Sequence, residues 1–298
     1  MMEKPYKYTL RRGSKKEICP NCGKRRFVPY VLTEDNETIV NPEWGRCDRE
    51  NSCGYWCKPN GNPVIETRPR ETKPEIPMTV DASILNPANV RRNVNTLWPY
   101  AKWFVGQEAA ADAWEKYHVL STPNGGCVFL QIDVAGTIRA GKIMYYAGGH
   151  RVKTGMPAQW LHRDLHYRRY VHGDTLRQCF FGEHLLAAEP GKPVMVVESE
   201  KTALIMSKIN RNYIWLASGG SCCLQNPEKN KVLDGRDVTI CPDNGMYIKW
   251  RQIALPRGWK VDETCLPPRD GFAEGYDILD LFEKWVIDDE NKMERKLP

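Results

Sequence analysis

No stretch of this chain approaches the ~20 consecutive apolar residues that would span a bilayer. The segment Met1 to Lys16 is charged and lacks the apolar run of a secretory signal. These two absences predict a cytoplasmic protein with no membrane partner. No internal repeat is visible, which sets repeat architectures aside. What is present is ordinary globular material: 298 residues, 41% of them hydrophobic, with a mean hydropathy of −0.56. That length suits about two domains and a small appendage. The eleven cysteines are numerous, and in a reducing compartment clustered cysteines read as metal ligands rather than disulfides.

The net charge of +6 is unevenly spread. Residues 1–73 carry fifteen Lys/Arg against ten Asp/Glu, and residues 91–179 carry twelve against six. Residues 180–298 carry sixteen against nineteen. A polyanion would lie along the first two regions and metal ions would sit in the third. Solvated surface charge is the competing explanation.

Cys19-Pro20-Asn21-Cys22-Gly23-Lys24 is a tight knuckle whose two thiolates reach one metal. A second half follows at Cys47 and Cys53, with β-forming residues between the halves. Two turns separated by a hairpin are the plan of a zinc ribbon, and Cys19, Cys22, Cys47 and Cys53 are the expected ligands of one structural Zn²⁺. Cys57 competes for the fourth place, because Cys-x5-Cys is wider than a usual knuckle. Basic residues around the knuckles alternate with Tyr30, Trp44, Tyr55 and Trp56. Cations for phosphates and rings for unstacked bases suit single-stranded nucleic acid, although Trp44 and Trp56 would also serve to pack a small core. Residues 61–80 carry Pro63, Pro69, Pro74 and Pro77 among charges and read as an extended linker.

Residues 81–120 read as helical, and Cys127–Asp133 with Ile138–Tyr146 read as a β-hairpin. Lys142, Arg151 and Lys153, on and after that hairpin, read by themselves as an exposed strand face; beside a metal site they become candidate contacts for a triphosphate or a template strand. His162, His166 and His172 fit no common ligand spacing, so surface or nucleic-acid contact is expected of them. The apolar run Val194–Val197 ends in Glu198 and turns at once into a helix beginning near Ser199. That order places Glu198 at the carboxyl edge of a parallel sheet, where ligand chemistry sits in open α/β folds. Val238–Cys241 followed by Asp243 repeats the pattern. Two strand-end acids make a site for a hard cation, Mg²⁺ or Mn²⁺.

The series Val194–Ala203 with Glu198 and Lys201, then Leu216–Gly220, then Thr239–Asp243 resembles the Toprim domain of bacterial DnaG-type primases, topoisomerases and some nucleases. The hairpin ending Gly141-Lys142 and the stretch Gln178–Leu186 are similar to a primase-like family found on mobile genetic elements, which also carries an N-terminal zinc ribbon. The resemblance implies a zinc-ribbon domain over 1–60, a linker over 61–80, the α+β N-terminal part of a primase-like core over 81–189, and a Rossmann-like Toprim domain over 190–298. It implies DNA replication chemistry. Glu198 and Asp243 would hold magnesium, Glu198 alternatively relaying a proton, and Asp277 would supply a further catalytic acid. Lys201 would contact phosphate or pair with Glu198, and Gly219 and Gly220 would contact phosphate or serve a strand-to-helix turn that needs positive φ. Single-stranded DNA and nucleoside triphosphates are the implied partners, with a replicative helicase left open. The chain departs from the pattern at Gly245, where the second acid of Asp-x-Asp belongs. Asp277 also reads as a helix N-cap, with Asp280 in the first turn. Two readings therefore stand: a nucleotidyltransferase making primers, and a non-catalytic single-stranded DNA-binding protein on a degenerate Toprim scaffold. Nuclease or topoisomerase action is set aside for want of a nucleophilic tyrosine motif and a partner domain.

Overall fold

The chain divides into two units, Met1–Lys73 and Pro74–Pro298. The computed structural model describes residues 6–49, 52–60, 75–155, 157–220, 222–263 and 275–294. The prolines at 63, 69 and 74, expected in a linker, lie outside those residues.

The first unit is a small antiparallel sheet. Its strands are β1 (Tyr8–Leu10), β2 (Glu17–Ile18), β3 (Arg25–Leu32), β4 (Gly45–Cys47) and β5 (Trp56–Cys57). They run in the order β1-β3-β4-β5, with β2 also paired to β3. Alternation along β3 sends Phe27 inward beside Cys19 and Cys47. Trp44 is buried and packs the core, whereas Trp56 is 55% exposed. β4 lies close against β3. A Cβ on Gly45 would stand 2.3 Å from the Phe27 ring and 2.4 Å from the Val28 carbonyl oxygen. Gly45→Ala should therefore destabilise this unit by about 1–3 kcal/mol. The expected readout is faster loss of metal from the full chain to a chelator; an unchanged rate would show that the strand yields freely.

The second unit is mixed α/β. Its antiparallel sheet contains β6 (Thr79–Val80), β7 (Leu120–Ser121), β8 (Cys127–Ile132), β9 (Ile138–Met144), β12 (Gln159–Trp160) and β13 (Val171–His172). The order is β13-β6-β9-β8-β7, with β12 also on β9. Thr79–Val80 falls in the span expected to be linker, yet Met78 and Val80 are buried and β6 pairs with both β9 and β13. A two-residue strand is too short for any periodic pattern to announce. The β8–β9 hairpin is as expected. Its turn is fixed by Asp133, whose Oδ1 accepts from the backbone of Ala135 and Thr137 and whose Oδ2 pairs with Arg139 at 2.6 Å. A separate ribbon joins β10 (Tyr146–Ala147) to β11 (His150–Arg151).

Helix formation over 81–120 is delayed. Two 3-10 turns capped by Asp81 and Asn86 come first, then α1 (Trp98–Val105) and α2 (Gln107–Lys116). After α3 (Leu185–Ala188) the chain enters a four-stranded parallel sheet of β14 (Val194–Val197), β15 (Ile214–Ala217), β16 (Val238–Ile240) and β17 (Lys260–Val261). The order is β15-β14-β16-β17. Helix α4 (Glu200–Ile209) links β14 to β15, α5 (Pro227–Asn230) precedes β16, α6 (Tyr247–Ala254) links β16 to β17, and α7 (Ile278–Glu294) follows. One apolar cluster runs from Trp114 and Tyr117 through Phe129 and Phe181 to Val196 and Ile240. Residues 81–189 and 190–298 thus share a core. No described helix is long and apolar enough to cross a membrane.

Candidate functional site

In the first unit, four sulfurs converge. Those of Cys19, Cys22, Cys47 and Cys53 all lie within 4.8 Å of one another. Sulfurs tetrahedrally bound at Zn–S distances of ~2.3 Å lie about 3.8 Å apart, and Cys19 and Cys53 are 3.8 Å apart. The knuckle closes through Gly23 N–H to the Cys19 carbonyl and Cys19 N–H to the Lys24 carbonyl, both at 2.9 Å. An N–H of the Asn21 side chain, 3.4 Å from the Cys53 sulfur, is the main cause that holds that thiol down to about 6. Burial pushes Cys47 up to about 11. The donor set fits a structural zinc ion. Cys57 lies outside the group on β5, its thiol directed at the Lys58 carbonyl.

In the second unit, the strand order 2-1-3-4 puts a topological switch between β14 and β16, and a crevice forms outside the carboxyl ends of such a pair. Val196 is level with both Leu216 and Ile240. Glu198 and Asp243 therefore follow neighbouring strands at one edge, and both are half-buried. The ladder continues past β14: Ser218 N–H bonds to the Val197 carbonyl and Gly219 N–H to the Glu198 carbonyl, each at 2.9 Å. Beyond β16, Asn244 exchanges backbone bonds with the 275–276 segment at 2.7 and 3.0 Å, which brings Asp277 toward the same edge.

Asp277 is buried and engaged. Its Oδ1 accepts from Leu279 and Asp280 N–H at 2.9 and 3.1 Å, its Oδ2 accepts from the Thr202 hydroxyl, and Asp280 reciprocates to its backbone at 2.9 Å. This is a capping box at the start of α7, tied to α4. Three of roughly four acceptor positions on the carboxylate are thus taken. Burial, followed by the charge of Asp280, raises its pKa. A raised carboxyl pKa gives stability that is complete below the unfolded value and lost as pH rises through the folded value. Asp277→Asn, which keeps an acceptor, should flatten that acid-range loss in Tm. Asp277→Ala should cost about 1–3 kcal/mol. Parallel Tm–pH curves for wild type and Asp277→Asn would contradict the assignment.

Among the described residues, the cysteines are the set of three or more metal-binding groups that converges; the three acids do not form such a cluster. Lys142 reaches across from β9. Its Nζ lies 3.1 Å from Glu200 Oε1 and donates to the Gly219 carbonyl at 2.8 Å. Lys229, also buried, donates to the Ser218 carbonyl at 2.8 Å, and burial lowers its pKa. Two ammonium groups thus hold consecutive carbonyls of the loop after β15. Gly219 has φ +80, and a Cβ there would sit 3.1 Å from Glu200 Oε1, so the loop requires glycine. Lys201 is buried, with Nζ 4.0 Å from Asp280 and 5.4 Å from the centre of the Tyr100 ring. Arg151 and Lys153 are exposed, on and just after the separate β10–β11 ribbon.

The sequence reading missed Glu200 and Lys229. Glu200 had one sequence signal, a second acid just after the β14 strand end; the structure shows Glu200, Lys201 and Thr202 all buried in the first turn of α4. Asp243 is followed by Gly245 with φ +90, a backbone conformation that side chains resist, so an acid at that position would be strained.

Three solved structures similar to this chain are primases. The primase fragment of the bacteriophage T7 primase-helicase is 14% identical with a TM-score of 0.39, over 92% of this chain and 98% of that one. The RNA polymerase domain of Mycobacterium tuberculosis primase DnaG is 14% identical with a TM-score of 0.34, over 57% of each chain. The Aquifex aeolicus primase, zinc-binding and RNA polymerase domains, is 16% identical with a TM-score of 0.32, over 61% of this chain and 45% of that one. No curated protein matches the chain. Residues 6–66 match a zinc beta-ribbon finger family. Residues 95–244, half of the chain, match a second family that spans the Lys142 strand, the Glu198 edge and Asp243, and on that match the chain belongs to the family described as Domain of unknown function (DUF6371).

Proposed function

We propose that the protein is a primase-like nucleotidyltransferase that engages single-stranded DNA through its zinc ribbon and joins nucleotides at the Glu198–Asp243 edge. The observation that carries this reading is the placement of those two acids after adjacent parallel strands, on either side of the switch point. The resemblance of the same residues to a Toprim domain supports it. Carboxylate oxygens on two strand ends are the donors a hard cation takes. Glu198 and Asp243 would hold Mg²⁺ or Mn²⁺, which neutralises the triphosphate and favours loss of the proton from the attacking 3′-hydroxyl. Lys142, whose Nζ is engaged by both Glu200 oxygens and by the Gly219 carbonyl, would place a fixed positive charge beside the phosphates. The Gly219–Gly220 turn lets a phosphate approach the backbone closely. Asp277 and Lys201 serve in this reading by fixing α7 against α4 beside the edge. Arg151 and Lys153 would meet the template outside it. A replicative helicase would deliver the single strand.

Gly245 favours a second reading, a non-catalytic DNA-binding protein of replication or transfer. Labelled ribonucleotide and deoxyribonucleotide incorporation on single-stranded circles, with Mg²⁺ or Mn²⁺, separates the two. Incorporation of either nucleotide class establishes the transferase. DNA binding without incorporation leaves the second reading in its place.

A further inference from the structure

From just after β12 through β13 runs a compact stretch that the candidate site does not use. Residues 162–172 hold Arg163, Arg168 and Arg169 with His162, His166 and His172, against one acid, Asp164. The stretch folds as two 3-10 turns, Leu161–Arg163 and Arg168–Tyr170, that pack on each other. Two buried anchors hold it to the sheet: Leu161 lies where a Cβ on Gly141 would touch it, and the Tyr167 hydroxyl donates to the Ser121 carbonyl at 2.7 Å. The acid is used internally, since Asp164 Oδ1 accepts from the backbone N–H of His166 and Tyr167 at 2.9 and 3.0 Å. The three arginines are exposed, and among the described residues none is ion-paired. Elsewhere in this unit Arg139, Arg177 and Arg257 each meet a carboxylate.

His162, Leu165, Arg168 and Arg169 border one cavity of about 720 Å³ together with one acid, Asp174, whose Oδ1 accepts from Ile76 N–H and the Thr175 hydroxyl, and Leu165 is 81% exposed. The Arg169 guanidinium lies 4.9 Å from the centre of the Tyr170 ring and donates to the Tyr170 hydroxyl at 3.0 Å. Cations without a carboxylate partner, beside an exposed apolar residue and an aromatic ring, match a strand that offers phosphates and unpaired bases. The stretch also adjoins the candidate site, because Trp160, two residues before it, is paired with Lys142 across β12 and β9.

We propose that this pair of turns is a track for the sugar-phosphate backbone of single-stranded nucleic acid, leading it to the Lys142 edge. Arg163, Arg168 and Arg169 contact phosphates and Leu165 contacts a base. The proposal rests on the function given above, and its test separates the two. Binding of a short fluorescein-labelled oligothymidylate to the full chain is measured over a range of salt. Each phosphate contact on a single strand contributes about 0.7 to the slope of log K against log salt, so the triple variant Arg163→Ser, Arg168→Ser, Arg169→Ser should lose about 2 from that slope. A control that removes the same charge from ion-paired lysines, Lys192→Ser, Lys231→Ser, Lys260→Ser, should keep the slope. An unchanged slope in the arginine variant, or an equal fall in the control, overturns the track and leaves the proposed function standing. Failure of the wild-type chain to bind the oligonucleotide overturns both. Polyglutamate displacing the strand at equal charge concentration would make the surface a site for acidic protein, against the proposal.

Discussion

Glu198→Gln should reduce nucleotide incorporation by about a thousandfold or more while leaving single-stranded DNA affinity within about twofold. The substitution keeps the shape of the side chain and removes its charge. The backbone around Glu198 is held by bonds the change does not touch: its carbonyl accepts from Gly219 N–H, and the preceding Val197 carbonyl accepts from Ser218 N–H. The fold at the end of β14 should therefore persist. A neutral amide gives a hard cation a much poorer ligand than a carboxylate, so Mn²⁺ uptake by calorimetry should fall together with incorporation. Asp243→Asn should have a similar effect, and the double variant should be little worse than either single one, because groups that share one ion are not additive. Equal loss of DNA affinity and incorporation would make Glu198 a structural residue. Unimpaired incorporation would move the chemistry away from the carboxyl edge of the parallel sheet altogether.

That edge was legible because a parallel strand covered by helices is a continuous apolar run, and a strand that ends in an acid before a helix leaves few places for the acid to go. Val194–Val197 with Glu198, and Val238–Ile240 with Asp243, both followed this rule. Cys19 and Cys22 were legible for a different reason, since knuckle spacing is set by metal geometry rather than by tertiary context, whereas the choice of Cys53 over Cys57 needed the convergence of the sulfurs. Glu200 was not legible as a partner of Lys142. The two stand 58 positions apart, and their ion pair exists only because β9 crosses the start of α4. Lys229 is the same case: a lysine in a polar turn reads as surface until the loop after β15 is laid over it. Thr79–Val80 looked like linker because it follows prolines and is only two residues long, and its burial depends wholly on strands contributed from elsewhere. Asp277 was readable as a cap from its spacing to Asp280, but its bond to Thr202 was not.

Removal of one zinc ligand should have the larger structural effect. Cys47→Ser in the full chain should abolish stoichiometric zinc and open the described strands β1–β5 to protease while the described strands and helices of the second unit stay resistant. Around the metal site the apolar group is Cys19, Phe27 and Cys47, with Cys22, Cys53 and Tyr55 partly buried beside them, and the unit's other buried apolar side chains include only Val28, Val31, Val40 and Trp44 among the described residues. A module of this size rarely folds on its core alone. Binding of structural zinc contributes about 10–16 kcal/mol of apparent free energy at neutral pH, and in such modules that is the folding free energy. Cys47 is the informative choice because it is buried on β4 and its thiol is the one that burial raises, so a vacant position there leaves a polar group in the core. Cys57→Ser is the matched control and should retain one zinc per chain, since its sulfur lies outside the converging four. Zinc retained by Cys53→Ser but lost by Cys57→Ser would reverse the assignment of the fourth ligand. Separation of the units should also appear in function: the zinc-free variant should bind oligonucleotide more weakly, yet keep whatever Mn²⁺ uptake Glu198 and Asp243 provide, because those acids belong to a sheet built entirely from residues after Pro193.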